Sequence, residues 1–297
     1  MLSIGDVIRK SREDLKISQE ELSFGICSTS NLSRIENGAQ IPSRITYEAL
    51  MQRLGQSSEV FPSFFNEREL ETFRLKHQIN QYIMDSKYDS AEKLLAKLDG
   101  ASQERLIVQL VKYVEAILYR ERGGAPNIVL EKFQEVAKMS IKCISPQSIP
   151  RQVLTRDELY MLNNLAFAHY DLGEHAIGIE YLYSVKKFIE KHVVDDKGIS
   201  PIYTMILYNL SKLVGLDGNI EEAIKLCDVG IQRCIEYNAY ADFSGLLFNK
   251  GYALVMLGRK GEAQKYLQEA YYLKRATNEL ESCETIKKFT DKQEIDL

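Results

Sequence analysis

Long apolar runs are missing from this 297-residue chain. No segment approaches the roughly 20 apolar residues that a helix needs to span a bilayer. The first residues, Met-Leu-Ser-Ile-Gly-Asp, lack the basic and then apolar pattern of a secretory signal. We therefore expect no membrane association and no secretion.

Metal-binding and redox motifs are also missing. The five cysteines form no Cys-x-x-Cys pair and their number is odd, which favours reduced thiols in a cytoplasm. Cys227 and Cys234 lie seven residues apart, so they share a helix face and favour packing over metal binding. The four histidines are scattered and include no His-Glu-x-x-His. We expect no metal site and no cofactor.

Catalytic patterns are equally scarce. The sequence has no glycine-rich phosphate loop and no Ser/His/Asp or Cys/His set at a plausible spacing. Its paired acids do not go beyond ordinary surface charge. We therefore do not expect an enzyme.

The segment from Ser18 to Gly38, SQEELSFGICSTSNLSRIENG, is rich in local signals. Ser18 and Glu21 form a capping box that begins a short helix. Ser28 is placed to cap a second helix from Thr29 to Glu36, which would turn Leu32 and Ile35 inward. Two short helices joined by so brief a turn predict a helix-turn-helix, whose second helix can enter the major groove of DNA.

The predicted second helix turns short hydrogen-bonding groups and a guanidinium outward, and arginines flank it. A preceding helix, roughly Ile4 to Lys16, is expected to bury Leu15 and to expose Arg9 and Arg12. The predicted DNA-binding residues are Gln19, Ser28, Thr29, Ser30, Asn31, Ser33, Arg34, Arg9, Arg12 and Arg44. An unrelated helical bundle with a polar face is the alternative interpretation.

The charge of this part is not that of a strong nonspecific DNA binder. Residues 1–65 hold seven lysines and arginines against eight aspartates and glutamates, a net charge of −1, and the whole chain carries −4. A single copy should bind DNA weakly because few cations face the phosphates. We therefore expect a homodimer on an inverted-repeat operator.

The remaining chain is predicted to be helical and repetitive. In three segments an asparagine is followed nine residues later by a glycine, and five residues further by a small residue: Asn164–Gly173–Gly178, Asn209–Gly218–Ala223 and Asn249–Gly258–Ala263. A weaker copy has His77, Ser86 and Ala91, another helix pair is interrupted at Gly123-Gly124-Ala125-Pro126, and a final helix is predicted from Leu280 to Lys292. Glycine would end the first helix of each pair, and such pairs stack into a superhelix.

Asparagine is unfavourable inside helices, yet it recurs in these first helices. An amide can pair with a peptide backbone through both its donor and its acceptor. The predicted peptide-binding residues are Asn163, Asn164, Asn209, Asn249, Lys212, Tyr208, Tyr252 and Lys87. The alternative is that the asparagines only bridge adjacent repeats or hold water.

Taken together, these motifs resemble the RRNPP family of peptide-responsive regulators of Gram-positive bacteria, most closely its PlcR branch. The resemblance covers the whole chain. It implies an all-α protein with a helix-turn-helix domain at 1–65 and a tetratricopeptide-like repeat superhelix at 66–297. It also implies dimerisation through the repeats and transcriptional control by a short signalling peptide.

At the level of residues, the resemblance matches Asn163, Asn209 and Asn249 to sites that grip the peptide. It also leads us to expect a different operator, because Thr29 replaces a glutamine-like position. A repeat scaffold that binds a phosphatase or response regulator remains the alternative function.

Overall fold

The computed structural model describes residues 3–56, 67–99, 104–192 and 200–297. Within these ranges the regular elements are fifteen α-helices and one short 3₁₀ helix, which confirms the all-α prediction. The chain divides into two compact units, Met1–Gly173 and Glu174–Leu297. The domain boundary predicted at residues 65 and 66 falls outside the described residues. No described helix is long and apolar enough to cross a membrane.

The N-terminal part of the first unit is a small four-helix domain. Each helix follows a serine whose side chain accepts a backbone N–H, so the local sequence fixes where all four begin. Leu22, Leu32, Ile35 and Leu50 form its core and are at most 1% exposed. The helices are α1 (Ile4–Asp14), α2 (Gln19–Ser23), α3 (Thr29–Glu36) and α4 (Arg44–Arg53).

Two expectations about α1 are wrong. Leu15 is 49% exposed because the helix ends at Asp14 and the chain turns at Lys16, which has a φ of 56°. The Arg12 side chain is only 13% exposed, since it turns inward to form an ion pair with Glu36.

Two helix pairs and one further helix complete the first unit. Ser86 adopts a φ of 55° and Gly123 one of 77°, so both first helices end at a left-handed residue, although only one of these is glycine. Ala91 is fully buried, as its register with the other repeats predicts. The helices are α5 (Glu67–Met84), α6 (Tyr88–Asp99), α7 (Arg105–Glu121), α8 (Pro126–Lys138) and α9 (Arg156–Asp171), and the 3₁₀ helix at Pro146–Arg151 lies between the last two.

Arg53, the last residue of α4, fastens the four-helix domain to these repeats. Its guanidinium donates to the carbonyl oxygens of Leu22 at 3.1 Å and Phe24 at 2.5 Å within the domain. It also donates to the Ser140 carbonyl at 2.8 Å and to the Glu158 carboxylate at 2.5 Å. The four-helix domain is thus held against the α8–α9 region by a buried cation that bonds to both sides.

The second unit consists of two complete helix pairs, the second helix of the pair that α9 begins, and a final helix. Gly218 and Gly258 have φ values of 93° and 74°, so they end α11 and α13 as the repeat pattern predicts, and Gly173 ends α9 in the same way. The helices are α10 (His175–His192), α11 (Ser200–Leu216), α12 (Ile220–Tyr237), α13 (Phe243–Met256), α14 (Lys260–Ala276) and α15 (Leu280–Gln293). The last agrees with the predicted final helix.

Candidate nucleic-acid interface and ligand-contact residues

The exposed face of α3 is the candidate DNA-reading surface. Ser28 caps the helix by accepting from the Asn31 N–H at 3.1 Å. Thr29, Ser30 and Arg34 are exposed and Ser33 is half-buried. Arg34 forms no hydrogen bond or ion pair with the described part of the chain, so its guanidinium is available to a phosphate or a guanine edge.

Asn31 does not share this face. It is half-buried and lies four residues before the buried Ile35, at the border of the inner side of α3. The Asn31 Oδ1 atom is buried and has no hydrogen-bond partner among the described residues. The exposed Asn37 extends the reading face instead, because it lies four residues after Ser33. The same spacing can be read from the sequence, so Asn37 could have been predicted as part of this face.

Glu36 organises the back of α3. Its carboxylate is 2% exposed and accepts from Arg12 Nε at 2.7 Å, from a terminal Arg12 nitrogen at 2.9 Å and from Gln19 Nε2 at 2.7 Å. Arg9 donates to the Glu36 backbone carbonyl. Burial opposes ionisation, yet the hydrogen bonds from Arg12 and Gln19 prevail and lower the pKa of Glu36. Gln19, Arg9 and Arg12 therefore position the reading helix from behind.

A glycine allows α1 to lie directly on the end of α3. A Cβ atom at Gly5 would come within 2.1 Å of the Ile35 carbonyl oxygen, so a larger residue would force the two helices apart. The close approach brings Arg9 and Arg12 of α1 to Glu36.

The Arg44 side chain is already engaged by other residues. Its Nε donates to Glu48 at 2.9 Å, and its guanidinium carbon lies 4.1 Å from the centre of the Phe73 ring on α5. Arg44 thus packs between the helix-turn-helix domain and the first repeat. Of the ten predicted DNA-binding residues, Thr29, Ser30, Ser33 and Arg34 remain as an accessible group on α3.

The predicted peptide-binding residues of the first unit are largely occupied. Asn164 donates to the Tyr113 hydroxyl at 2.6 Å and to the Tyr160 carbonyl at 3.2 Å, and it accepts from Arg120 at 2.8 Å. Asn163 is 7% exposed. Lys87 is exposed and paired with Asp85 at 2.9 Å. For Asn164 the structure favours the alternative in which the amide bridges neighbouring helices.

In the second unit Asn249 also bridges first helices. Its Nδ2 donates to the Tyr208 carbonyl at 3.1 Å and to the Ser211 hydroxyl at 3.0 Å, both on α11. Its carbonyl oxygen accepts no hydrogen bond from the described residues, so one half of the amide is left for a ligand. Asn209 is 9% exposed.

The aromatic and charged members of this group differ in access. The Tyr208 ring lies so close to Gly245 that a Cβ there would come within 2.6 Å of it. The centre of the Tyr252 ring is 5.3 Å from that of Phe289 on α15. Lys212 is exposed and has no partner among the described residues. Among the predicted peptide-binding residues, Lys212 is thus a cation that a ligand could reach without breaking a contact with the described residues.

Comparison with known proteins bears on both parts of the chain. Residues 8–61 match a family described as helix-turn-helix. The fold is similar to that of Bacillus thuringiensis PlcR in complex with the peptide PapR7 and DNA, with a TM-score of 0.66 and 18% identity over 95% of this chain and 98% of that one. Apo PlcR gives a TM-score of 0.60 at 17% identity over 95% and 97% of the two chains.

A second solved protein has a similar fold. ComR from S. thermophilus, solved with DNA and its signalling peptide ComS, gives a TM-score of 0.52 at 18% identity over 99% of this chain and all of that one. No curated protein matches the sequence at a significant level. The expected resemblance to RRNPP regulators of the PlcR type is confirmed at the level of the fold: the chain joins a helix-turn-helix domain to a helical-repeat architecture that it shares with PlcR and ComR.

Proposed function

We propose that this protein is a cytoplasmic transcriptional regulator that binds promoter DNA through α3 and is controlled by a short signalling peptide held by its repeats. The observation that carries the DNA-binding part is the exposed Arg34, which has no partner among the described residues and lies beside Thr29 and Ser30 on a helix that Glu36 holds from behind. Short hydroxyl groups and one guanidinium are suited to base edges and phosphates in a major groove.

The fold shared with PlcR and ComR supports control by a peptide, since both of those proteins were solved with a peptide and DNA. Within the second unit, the carbonyl oxygen of Asn249 and the Lys212 ammonium have no partner among the described residues, so they offer an acceptor and a cation. A peptide backbone N–H could donate to the first, and a carboxylate could pair with the second. A quorum-sensing role follows if the peptide is a secreted signal.

The small number of free cations on the reading face supports binding as a dimer. One helix-turn-helix with a single unpaired arginine on α3 releases few counterions from DNA, and two copies double the contacts. We propose a homodimer held by the repeats, reading two half-sites about one helical turn apart or a multiple of that spacing. Light scattering tests this: a monomer at micromolar concentration, both free and on DNA, would contradict it.

The DNA-binding proposal is tested by selecting sequences from a random duplex library with the full chain. We expect an inverted repeat, and we expect Arg34→Ala to weaken binding of the selected site while leaving the circular dichroism spectrum unchanged. Lys10→Ala, an exposed change on α1, is the matched control. Unchanged affinity for Arg34→Ala would overturn the assignment of α3.

The peptide proposal is tested with synthetic peptides taken from the C-termini of short reading frames beside the gene. Calorimetry with and without operator DNA measures the coupling, which is reciprocal between the two ligands. We expect peptide affinity to differ between the two conditions by about 5- to 150-fold, the usual range of allosteric coupling. Identical affinities would contradict control of DNA binding by peptide.

A further inference from the structure

A cavity of about 230 Å³ lies inside the first unit, between α4 of the helix-turn-helix domain and the repeat helices α5, α7 and α9. We call it the α4 cavity. An engineered apolar cavity of about 150 Å³ binds benzene, so this space can hold one aromatic ring or one branched aliphatic group. Its apolar wall comes from all four helices: Ile45, Ala49, Ile83, Leu106, Leu110 and Met161.

The charged groups of the wall are already paired. Lys76 Nζ donates to the Asp157 carboxylate at 2.7 Å. Glu48 accepts from Arg44 at 2.9 Å, and Glu158 accepts from Arg53 at 2.5 Å. A charged ligand would find no free counter-charge here and would lose its hydration on entry, which is unfavourable. The wall therefore selects for an uncharged ligand.

Two neutral amides of the wall remain available. The Asn80 side chain forms no hydrogen bond with the described residues. Gln52 accepts from the Arg156 N–H at 3.0 Å, but its Nε2 atom donates to no described group. An amide or other neutral polar group on the ligand could pair with both. An apolar enclosure with a few convergent polar groups is the usual composition of a ligand site.

We propose that the α4 cavity binds an uncharged, mostly apolar group of about the size of one ring that also carries a neutral hydrogen-bonding function. This chemistry has two possible sources, an apolar residue within a peptide or a free small molecule. Because α4 forms one wall and repeat helices form the others, the occupant binds only while α4 is packed against the repeats. It therefore favours that arrangement.

The consequence for DNA follows from Arg53, which comes directly after Gln52 and holds the Leu22 and Phe24 carbonyls that precede α3. An occupant that stabilises α4 against the repeats therefore also stabilises the position of α3 relative to the repeats. This effect on DNA binding depends on the proposed function, whereas ligand binding in the cavity does not.

Methionine methyl groups report occupancy of the cavity. The full chain carries seven methionines, and one of them, Met161, lines the wall. With [ε-¹³C]methionine label, titration with N-acetyl-L-phenylalaninamide should shift the Met161 signal saturably, with a dissociation constant of about 1 mM for so small a ligand. Met256 is 46% exposed and belongs to the second unit, so its signal should not move.

Variants and ligand analogues make the test decisive. Ala49→Phe fills the cavity from α4 and Ile83→Phe fills it from α5, and either one that stays folded should weaken binding at least tenfold. N-acetyl-L-glutamate amide should not bind. Indole carries the ring without the peptide groups. If indole binds as tightly as N-acetyl-L-phenylalaninamide, the natural ligand is a free small molecule. If the capped amino acid binds tenfold more tightly than indole, the natural ligand is a peptide residue.

Three outcomes would overturn the proposal: a Met161 signal that stays fixed, equal binding by the filled variants, or equal binding of the glutamate analogue. The DNA selection is a separate measurement. A shifted Met161 signal in a chain that selects no DNA sequence would leave the cavity site standing and overturn the proposed function.

Discussion

Arg53 and Glu158 lie 105 residues apart in the sequence and form an ion pair of 2.5 Å in which neither side chain is more than 3% exposed. Glu158 also accepts from the Thr155 N–H at 2.6 Å, which caps α9. One carboxylate therefore fixes the start of a repeat helix and the end of the last helix of the helix-turn-helix domain. Removal of the Glu158 charge should therefore destabilise both the start of α9 and the end of α4.

Glu158→Gln should lower the free energy of unfolding of the first unit by about 3–5 kcal/mol, the usual cost of leaving a buried charge without its partner. Hydrogen exchange of the α4 and α9 amides measures the change. Glu284→Gln is the control, because Glu284 and Lys288 are 75% and 81% exposed and 3.9 Å apart. It should change stability by less than about 0.5 kcal/mol. Equal effects of the two variants would contradict the role of Arg53.

The pH dependence of the helix-turn-helix domain should follow Glu36. Because the folded state lowers the pKa of this group, its contribution is present above the unfolded value near 4.5 and is lost as pH falls through the folded pKa. We compare the wild type with Glu36→Gln by hydrogen exchange in α3. The wild type should be more stable by a constant amount between pH 7 and 4.5, and the difference should shrink below that.

Glu13→Gln serves as the control for this series, since Glu13 is 62% exposed and lies 3.7 Å from the same arginine. The stability of Glu13→Gln should differ little from that of the wild type at every pH. If the difference in stability between the wild type and Glu36→Gln is the same at pH 3 as at pH 7, the charge of Glu36 does not stabilise the domain.

Gly5→Ala tests the close approach of α1 to α3. The added Cβ would lie 2.1 Å from the Ile35 carbonyl oxygen, so α1 must move and weaken the bonds of Arg9 and Arg12 to Glu36. We expect a loss of about 1–3 kcal/mol, the usual cost of overpacking. Gly261→Ala, which meets nothing within 4 Å, should instead stabilise by up to about 1 kcal/mol. Thermal denaturation of the two variants measures both changes, and a Gly5→Ala variant as stable as Gly261→Ala would contradict the close approach of α1 to α3.

On the reading face, Arg34→Ala should cost about 1–3 kcal/mol if the guanidinium binds a guanine edge, and it should relax specificity at one base. If Arg34 binds phosphate, the salt dependence of binding should fall by about one unit of slope instead. Ser30→Ala should weaken binding as well. Asn31→Ala should leave DNA affinity unchanged, because Asn31 is half-buried and its Oδ1 is buried. Gel-shift titrations at several salt concentrations measure all three.

In the second unit, Asn249→Ala and Lys212→Ala are both expected to weaken peptide binding, but they should differ in their effect on stability. Asn249→Ala breaks two hydrogen bonds between α11 and α13, so it should lower stability by about 1–3 kcal/mol. Lys212→Ala removes an exposed cation without a described partner, so stability should not change and the affinity for an anionic peptide group should fall. Urea denaturation and peptide calorimetry separate the two effects. A stability loss in Lys212→Ala would contradict its assignment as a ligand contact.

The sequence by itself determined the features that depend on neighbours within one or two helical turns. Serine caps fixed the start of α2 and α3, and the hydrophobic spacing of Leu32 and Ile35 fixed which side of α3 faces inward. Glycine at the repeated position ended α11 and α13, because only that residue enters the left-handed region without strain. These signals were sufficient for the fold class, for the repeat register and for the family resemblance.

Tertiary structure decided which polar side chains remain accessible. Arg12 and Arg34 both lie on predicted outer faces, yet of the two only Arg34 has no partner among the described residues, because Glu36 binds Arg12 from 24 residues away in the sequence. The spacing of Asn164 and Asn249 predicts ligand binding, but neighbouring helices supply hydrogen-bond partners from 38 to 51 residues away in the sequence. Periodicity reports the direction of a side chain along its own helix, and it carries no information about what a second helix places there. For that reason the bridging asparagines, the Arg53–Glu158 pair and the α4 cavity became visible only when the helices were packed together.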